Sequence, residues 1–462
     1  MAKKESEEQK KQKALKISIE EGTAATFSTD LGNSIITPLA TAIGSNALHI
    51  GFLSSLAGFF GPIAQIKGDR MMESKSRKKI VIKYAFLQGL MWLPIAIIGL
   101  LYWKNIISGF LPWILIILYT ILAFLAGTHT PAWFSWMGDL VPAAEKGRYF
   151  AKRNVLMGIA GIVALIFGGV VLKYSKSAKI LFFGFAALFI VAFIFRIVSI
   201  IYLRKQYEPK FRLEKKSYFS FWDFVKRYDN FGKFAVYQAF FNFSIMVASP
   251  FFAFYMLKSL NYESNYLIYM AVVLSSTFFY LMFTPLVGKF SDKYGNKRLL
   301  WIANILFAIN PLLWLFVKTP LMIVFIPQIL VGLANAALNI SITNYTYDSV
   351  SRQKRGLCLA YTNIMIGSGA LIGSLLGGLL INILSFSWIN SFFFVFILAA
   401  VLRLAVALFF LPKLKEVRRT AKLRLHSPIH IHLNNPLRFI HFENTSLGFN
   451  HRKAKASNSD ID

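Results

Sequence analysis

Asp30 is the residue of this chain whose type and setting most clearly promise chemistry. It lies about eight residues into a stretch that reads as apolar from 22 to 44, roughly 12 Å along a helix that rises about 1.5 Å per residue. A carboxylate at that depth in a medium without water is costly unless it is protonated or paired, so it marks a proton site or a solute path. The plainer reading is that the helix starts later and Asp30 only caps it. His129, in Thr128-His129-Thr130-Pro131-Ala132-Trp133, is a second group able to titrate, to bind a solute or simply to hydrogen-bond. Gln88, Asn242 and Asn339 are uncharged polar groups in other apolar stretches, suited to line a cavity or to join helices through amide hydrogen bonds.

A second set of residues lies between the apolar stretches. Asp69-Arg70, Asp139, Asp292-Lys293 and Asp348 stand at the ends of such stretches, with Gly288, Gly295 and Arg298 around the third. A tight turn at Gly295 lets two helices meet closely. An aspartate at a helix end can hold a neighbouring helix by charge and through its dipole, a latch that exists in only one of two rocking states. The alternative is a set of solvated loop charges. Arg196 and Arg403 fall inside apolar stretches near matching ends, where each can snorkel outward or pair with an acidic loop residue; their matched placement points to a structural role shared by two halves. Cys358 is the one cysteine, and five of the seven histidines sit in the basic stretch 413–462 without ligand spacing. No metal or cofactor is therefore expected.

Positioning these groups takes helices in lipid. The chain is 56% hydrophobic and 16% charged, against about 25% charged in an ordinary soluble domain. Apolar stretches of spanning length run at 22–44, 47–66, 80–103, 110–138, 154–173 and 180–203, then at 233–257, 264–288, 298–317, 320–346, 359–383 and 387–411. The expected fold is an all-α polytopic membrane protein: twelve transmembrane helices in two pseudo-symmetric six-helix bundles, 22–203 and 233–412. A linker, 204–232, joins them; its aromatic and basic run at 217–228 suits a helix lying on the membrane surface, or a plain tether. The tails are 1–21, which has no apolar core and does not read as a cleavable signal, and 413–462, which reads as disordered.

The net charge of +30 tests this count, because of the 51 Lys and Arg residues 43 fall in the tails and even-numbered connections, six in the odd-numbered ones and two inside spans. Such asymmetry puts both termini in the cytoplasm of a cell membrane. It also makes the lipid bilayer, and no nucleic acid, the partner of the basic charge.

The two halves repeat in detail. Asp139-Leu140-Val141 with Lys146-Gly147 recurs at an offset of 209 as Asp348-Ser349-Val350 with Arg355-Gly356, and at the same offset Asn154, Gly158 and Gly168-Gly169 recur as Asn363, Gly367 and Gly377-Gly378. Asp30 precedes Pro38 by eight positions and Asn242 precedes Pro250 by eight, so any titratable coupling at Asp30 is asymmetric. The run Gly288-Lys289-Phe290-Ser291-Asp292-Lys293-Tyr294-Gly295-Asn296-Lys297-Arg298 resembles the loop signature of the major facilitator superfamily. Its counterpart around Asp69 is degenerate, with Gln65 in place of the first glycine. The resemblance extends from the first span to the twelfth. It implies a monomeric secondary transporter that moves a small solute by alternating access, driven either by an ion gradient, with the proton as default coupling ion and Asp30 as the leading carrier, or by the solute's own gradient. No Gly-x-x-x-x-Gly-Lys-Ser/Thr phosphate loop is present. The rival readings are a polytopic enzyme acting on lipid-linked substrates, which needs clustered His, Asp or Glu at one membrane face, and a sensor that keeps the fold without transport. No enzyme activity is expected.

Overall fold

The computed structural model describes residues 7–142, 146–209, 220–226, 229–350, 352–384 and 390–416. The first half comprises α1 (Glu7–Ala42), α2 (Ala47–Met71), α3 (Arg77–Trp103), α4 (Ser108–Leu140), α5 (Lys146–Ser177) and α6 (Leu181–Lys205). The second comprises α7 (Asn230–Lys258), α8 (Tyr266–Tyr294), α9 (Asn296–Leu313), α10 (Pro320–Ser349), α11 (Arg352–Ile383) and α12 (Ser391–Phe410). No strand occurs among the described residues. Ten of these segments are long and apolar enough to cross a bilayer. The other two, α1 and α9, are diluted by Glu20, Glu21 and Asp30 and by Lys297, Arg298, Asn304 and Asn310.

Proline marks the interruptions. Pro94 cannot donate to the Leu90 carbonyl, and α3 turns at Met91; Pro250 cannot donate to Met246, and α7 breaks at Val247–Ala248. Pro327 sits in a π-turn, Val324–Gln328, within α10. Between α8 and α9 the chain reverses at Gly295, whose φ of 91° is in the region that favours glycine.

The same principal pairs of helices pack together within each half, among them first with fifth, first with sixth, second with fourth, third with fourth, third with sixth and fifth with sixth. The halves meet through α2 against α11 and α5 against α8, two contacts that exchange places under the same repeat. One hydrophobic core is built from both halves at the end of the molecule away from the termini, including Ile36, Leu53, Leu115 and Phe189 with Phe251, Tyr266 and Phe396. Nearer the termini the described cores each lie within a single half, one in the first and two in the second. Apolar side chains such as Ile117, Leu286, Phe316 and Phe325 stand on the outer surface, 58–73% exposed, which only a lipid solvent accommodates on this scale.

One boundary differs from the expectation. Helix α1 is continuous from Glu7, so residue 21 lies inside it rather than at the end of a tail. The linker contributes one described turn of helix, Phe221–Val225; Phe224 is buried against Tyr361 and Phe231, while Trp222 is 69% exposed. Residues 210–219 and 417–462, where most of the linker and the expected disordered tail fall, lie outside the described residues. The last described residues are tied down: Lys415 accepts from Asn230 and Tyr345, and the Lys297 amide donates to Glu416.

Candidate functional site

Four helices of the first half line an open cavity of about 250 Å³, formed by Glu21, Gly22 and Thr26 of α1, His129 and Trp133 of α4, Arg153 and Met157 of α5, and Arg196 of α6. Small residues bring the helices close enough for the charged groups to meet. Gly22 lies against the Arg153 guanidinium and Gly89 of α3 against the Arg196 side chain, where a methyl group on either glycine would collide.

Glu21 is 3% exposed; its Oε2 accepts from Arg153 Nη2 at 3.4 Å and its Oε1 from Ser199 Oγ at 3.0 Å. Arg153 also donates Nε to the Ser18 carbonyl at 3.3 Å and lies 4.5 Å from the centre of the Trp133 ring, a cation–π contact. Arg196, 5% exposed, is held by neutral groups: Nη2 donates to Gln88 Oε1 at 2.5 Å and contacts His129 Nε2 at 3.2 Å, and Nε donates to the Ala85 carbonyl at 3.4 Å. Since an arginine only donates, His129 Nε2 must accept, and the other ring nitrogen, 3.1 Å from the Leu125 carbonyl, must carry the proton. His129 is thereby fixed as a neutral hydrogen-bonding group.

The structure thus gathers Gln88, His129 and Arg196 into one network, and adds Glu21 and Arg153. Sequence reasoning missed these two by assigning Glu21 to the tail and Arg153 to a loop. The signal was present as a stripe of small and polar residues, Ser18, Gly22, Ala25 and Thr29, at helical spacing ahead of the apolar run. Neither intramembrane arginine snorkels. Arg403 is 1% exposed and donates to the carbonyls of Ser244, Ile245 and Phe307 at 3.4, 3.0 and 2.8 Å, so snorkelling or pairing with a loop acid is corrected for it by burial.

Asp30 lies apart from this network. It is inside α1 rather than at its cap, half-buried, with its carboxylate against Gly161 of α5 and without a hydrogen-bond or ion-pair partner among the described residues. Asn242 Nδ2 donates to the Ile366 carbonyl at 3.0 Å and so joins α7 to α11, while Asn339 is exposed on α10.

The loop residues are arranged mainly within halves. Asp139, at the end of α4, pairs at 2.5 Å with Arg77 at the start of α3, which also reaches Glu208 at 3.7 Å. Asp348, at the end of α10, accepts from Asn296 at the start of α9 at 3.3 Å, and Asn296 accepts from Ser291 at 2.7 Å. The two aspartates therefore do the same work, each tying the fourth helix of its half to the third. Asp69 is half-buried at the end of α2; Arg70 is exposed beside it on an open groove of about 460 Å³. Asp292 and Lys293 are exposed at the end of α8, Gly288 faces Ile340 of α10, and Arg298 is half-buried in the first turn of α9.

These features define a class: an all-helical, multi-pass membrane protein built by duplication, with a polar cavity inside one bundle. The sequence model of the Major Facilitator Superfamily matches residues 22–277 and 234–442, and the chain belongs to that family. Among solved structures it is similar to a D-xylose-proton symporter (TM-score 0.66, 15% identity, 88% of this chain and 99% of the other). A nucleoside transporter is similarly placed (0.65, 14%, 86% and 100%). Among curated proteins it is 30% identical over 137 residues to vacuolar basic amino acid transporter 2 of Saccharomyces cerevisiae, 30% of this chain and 28% of that protein. An uncharacterized transporter of Schizosaccharomyces pombe is 32% identical over 128 residues, 28% and 22% respectively. The chain thus spans about a quarter of the length of these curated relatives.

Proposed function

We propose that the protein is a monomeric secondary transporter that moves a small solute across a membrane by rocking two six-helix units, 22–203 and 233–412, about a shared midplane. The observation that carries this reading is the duplication itself: the same principal helix pairs within each half, and halves joined by the exchangeable pairs α2–α11 and α5–α8. An interface related to itself by a repeat offers two equivalent arrangements, which is what alternating access requires. The excess of basic residues on the terminal side supports cytoplasmic termini and a cell membrane as the setting. Family membership makes transport, rather than catalysis on lipid-linked substrates, the function to test.

Asp30 is the proposed proton carrier, because it is an unpartnered acid at membrane depth. The aspartates of the loop motif are proposed to latch the terminal side in one state. The test is a solute panel in proteoliposomes, with and without a pH gradient. Asp30→Asn should abolish proton-driven accumulation and leave solute exchange at equal pH intact; full accumulation by Asp30→Asn would sink the coupling assignment.

A further inference from the structure

The cavity between α1, α4, α5 and α6 holds two guanidinium groups and one carboxylate. Arginine stays protonated in proteins, and His129 is neutral by its hydrogen bonds, so with Glu21 ionised the site carries one surplus positive charge. Buried charge is ordinarily paired. Arg153 is hydrogen-bonded to Glu21; Arg196, equally buried, feels the same carboxylate through space, but its own hydrogen-bond acceptors are all neutral, and it borders the cavity.

Arg403 supplies the contrast. It too has no ion pair among the described residues, but its guanidinium is taken up by three backbone carbonyls, one of which, at Phe307, has lost its helical donor to Pro311. Arg196 meets one backbone carbonyl and opens on empty space.

We infer that this cavity binds the carboxylate of a small organic monoanion between Arg196 and Arg153, with Glu21 holding Arg153 while the site is empty. One surplus charge matches a monoanion; a dianion would overshoot it. The flat guanidinium fork suits a carboxylate, which it can bind through two parallel hydrogen bonds. Trp133, Phe134, Met157 and Ala25 give the rest of the solute an apolar and aromatic wall. The groups that face Glu21 are Arg153 and Tyr149 of α5, and Arg196 and Ser199 of α6, so an arriving anion competes with Glu21 for the same donors. This inference names a substrate class for the proposed transporter and so rests on that reading, but binding is measurable without transport.

The experiment is thermal stabilisation of the full chain in lipid nanodiscs, in chloride-free buffer, by acetate, lactate and benzoate, against benzamide, benzylamine and inorganic phosphate. At least one monocarboxylate should raise the melting temperature in a concentration-dependent way, and the three comparison compounds should not. Glu21→Gln, which removes the internal competitor and keeps both arginines, should tighten the effective carboxylate by about tenfold, and Arg196→Lys should weaken it by about as much. The inference is overturned if no carboxylate stabilises, if phosphate or benzamide does as well, or if Glu21→Gln leaves affinity unchanged. Because Glu21→Gln retains the hydrogen-bonding shape, its result stands even where Arg196→Lys fails to fold. Solute transport without carboxylate binding would remove this inference and leave the transporter reading in place.

Discussion

Arg196 and Arg403 stand at equivalent places in the two halves and do different work. Arg403 repairs backbone. Pro311 leaves the Phe307 carbonyl without its helical donor and the break in α7 disturbs the Ser244 and Ile245 carbonyls; the guanidinium reaches all three. Arg403→Met should therefore destabilise the protein by about 2–5 kcal/mol, the cost of orphaning buried acceptors. Pro311→Ala restores the amide that Phe307 lacks, so the double variant should lose less than the sum of the two single losses in a double-mutant cycle read by thermal unfolding. Strict additivity would mean that Arg403 stabilises by some other route. The sequence made both arginines visible as intramembrane charges, but their partners are not legible there. Which carbonyl a proline frees, and which side chain reaches it, depends on how helices distant in the chain cross.

At the scale of elements, glycine spacing decides how near two helices come. Gly369, Gly373 and Gly377 of α11 lie, one turn apart, against the carbonyls of Ala239, Phe243 and Val247 in α7. Gly158 of α5 has open space where its side chain would be. Gly373→Ala should cost about 1–3 kcal/mol by overpacking, and Gly158→Ala should be neutral or slightly stabilising through helix propensity. Equal melting temperatures for the two variants would contradict this packing. The order of the long helices was readable from hydropathy, because apolar length is a property of single segments. The start of α1 was not, because Glu20, Glu21 and Ser18 lower its local hydropathy, although Glu21 and Ser18 face partners on other helices. For the same reason the cavity was only half legible: Gln88, His129 and Arg196 stand out as polar groups in apolar runs, whereas Glu21 and Arg153 look like the ends of soluble loops.

For the whole molecule, the repeat in sequence becomes a repeat in packing. One core joins the two halves at the side away from the termini, where Lys176 Nζ of α5 also donates to the Glu263 carbonyl at 2.6 Å. Near the termini the described cores belong to single halves. This state is held together by that shared core and along α2 and α11, as far as the hydrogen bond from Asn363 to Gln65 at 3.4 Å. The rocking account requires a second state in which that core parts and the terminal sides close. The most direct measurement uses spin-label distances in nanodiscs, after Cys358→Ser, for two pairs that span the halves: Lys176→Cys with Glu263→Cys at the far side, and Ser74→Cys with Lys293→Cys at the terminal side. Across a range of pH and added solutes each pair should show two populations, the far-side distance lengthening in the conditions that shorten the terminal-side distance. A single unchanging distance for both pairs, or two distances that lengthen together, would contradict the account.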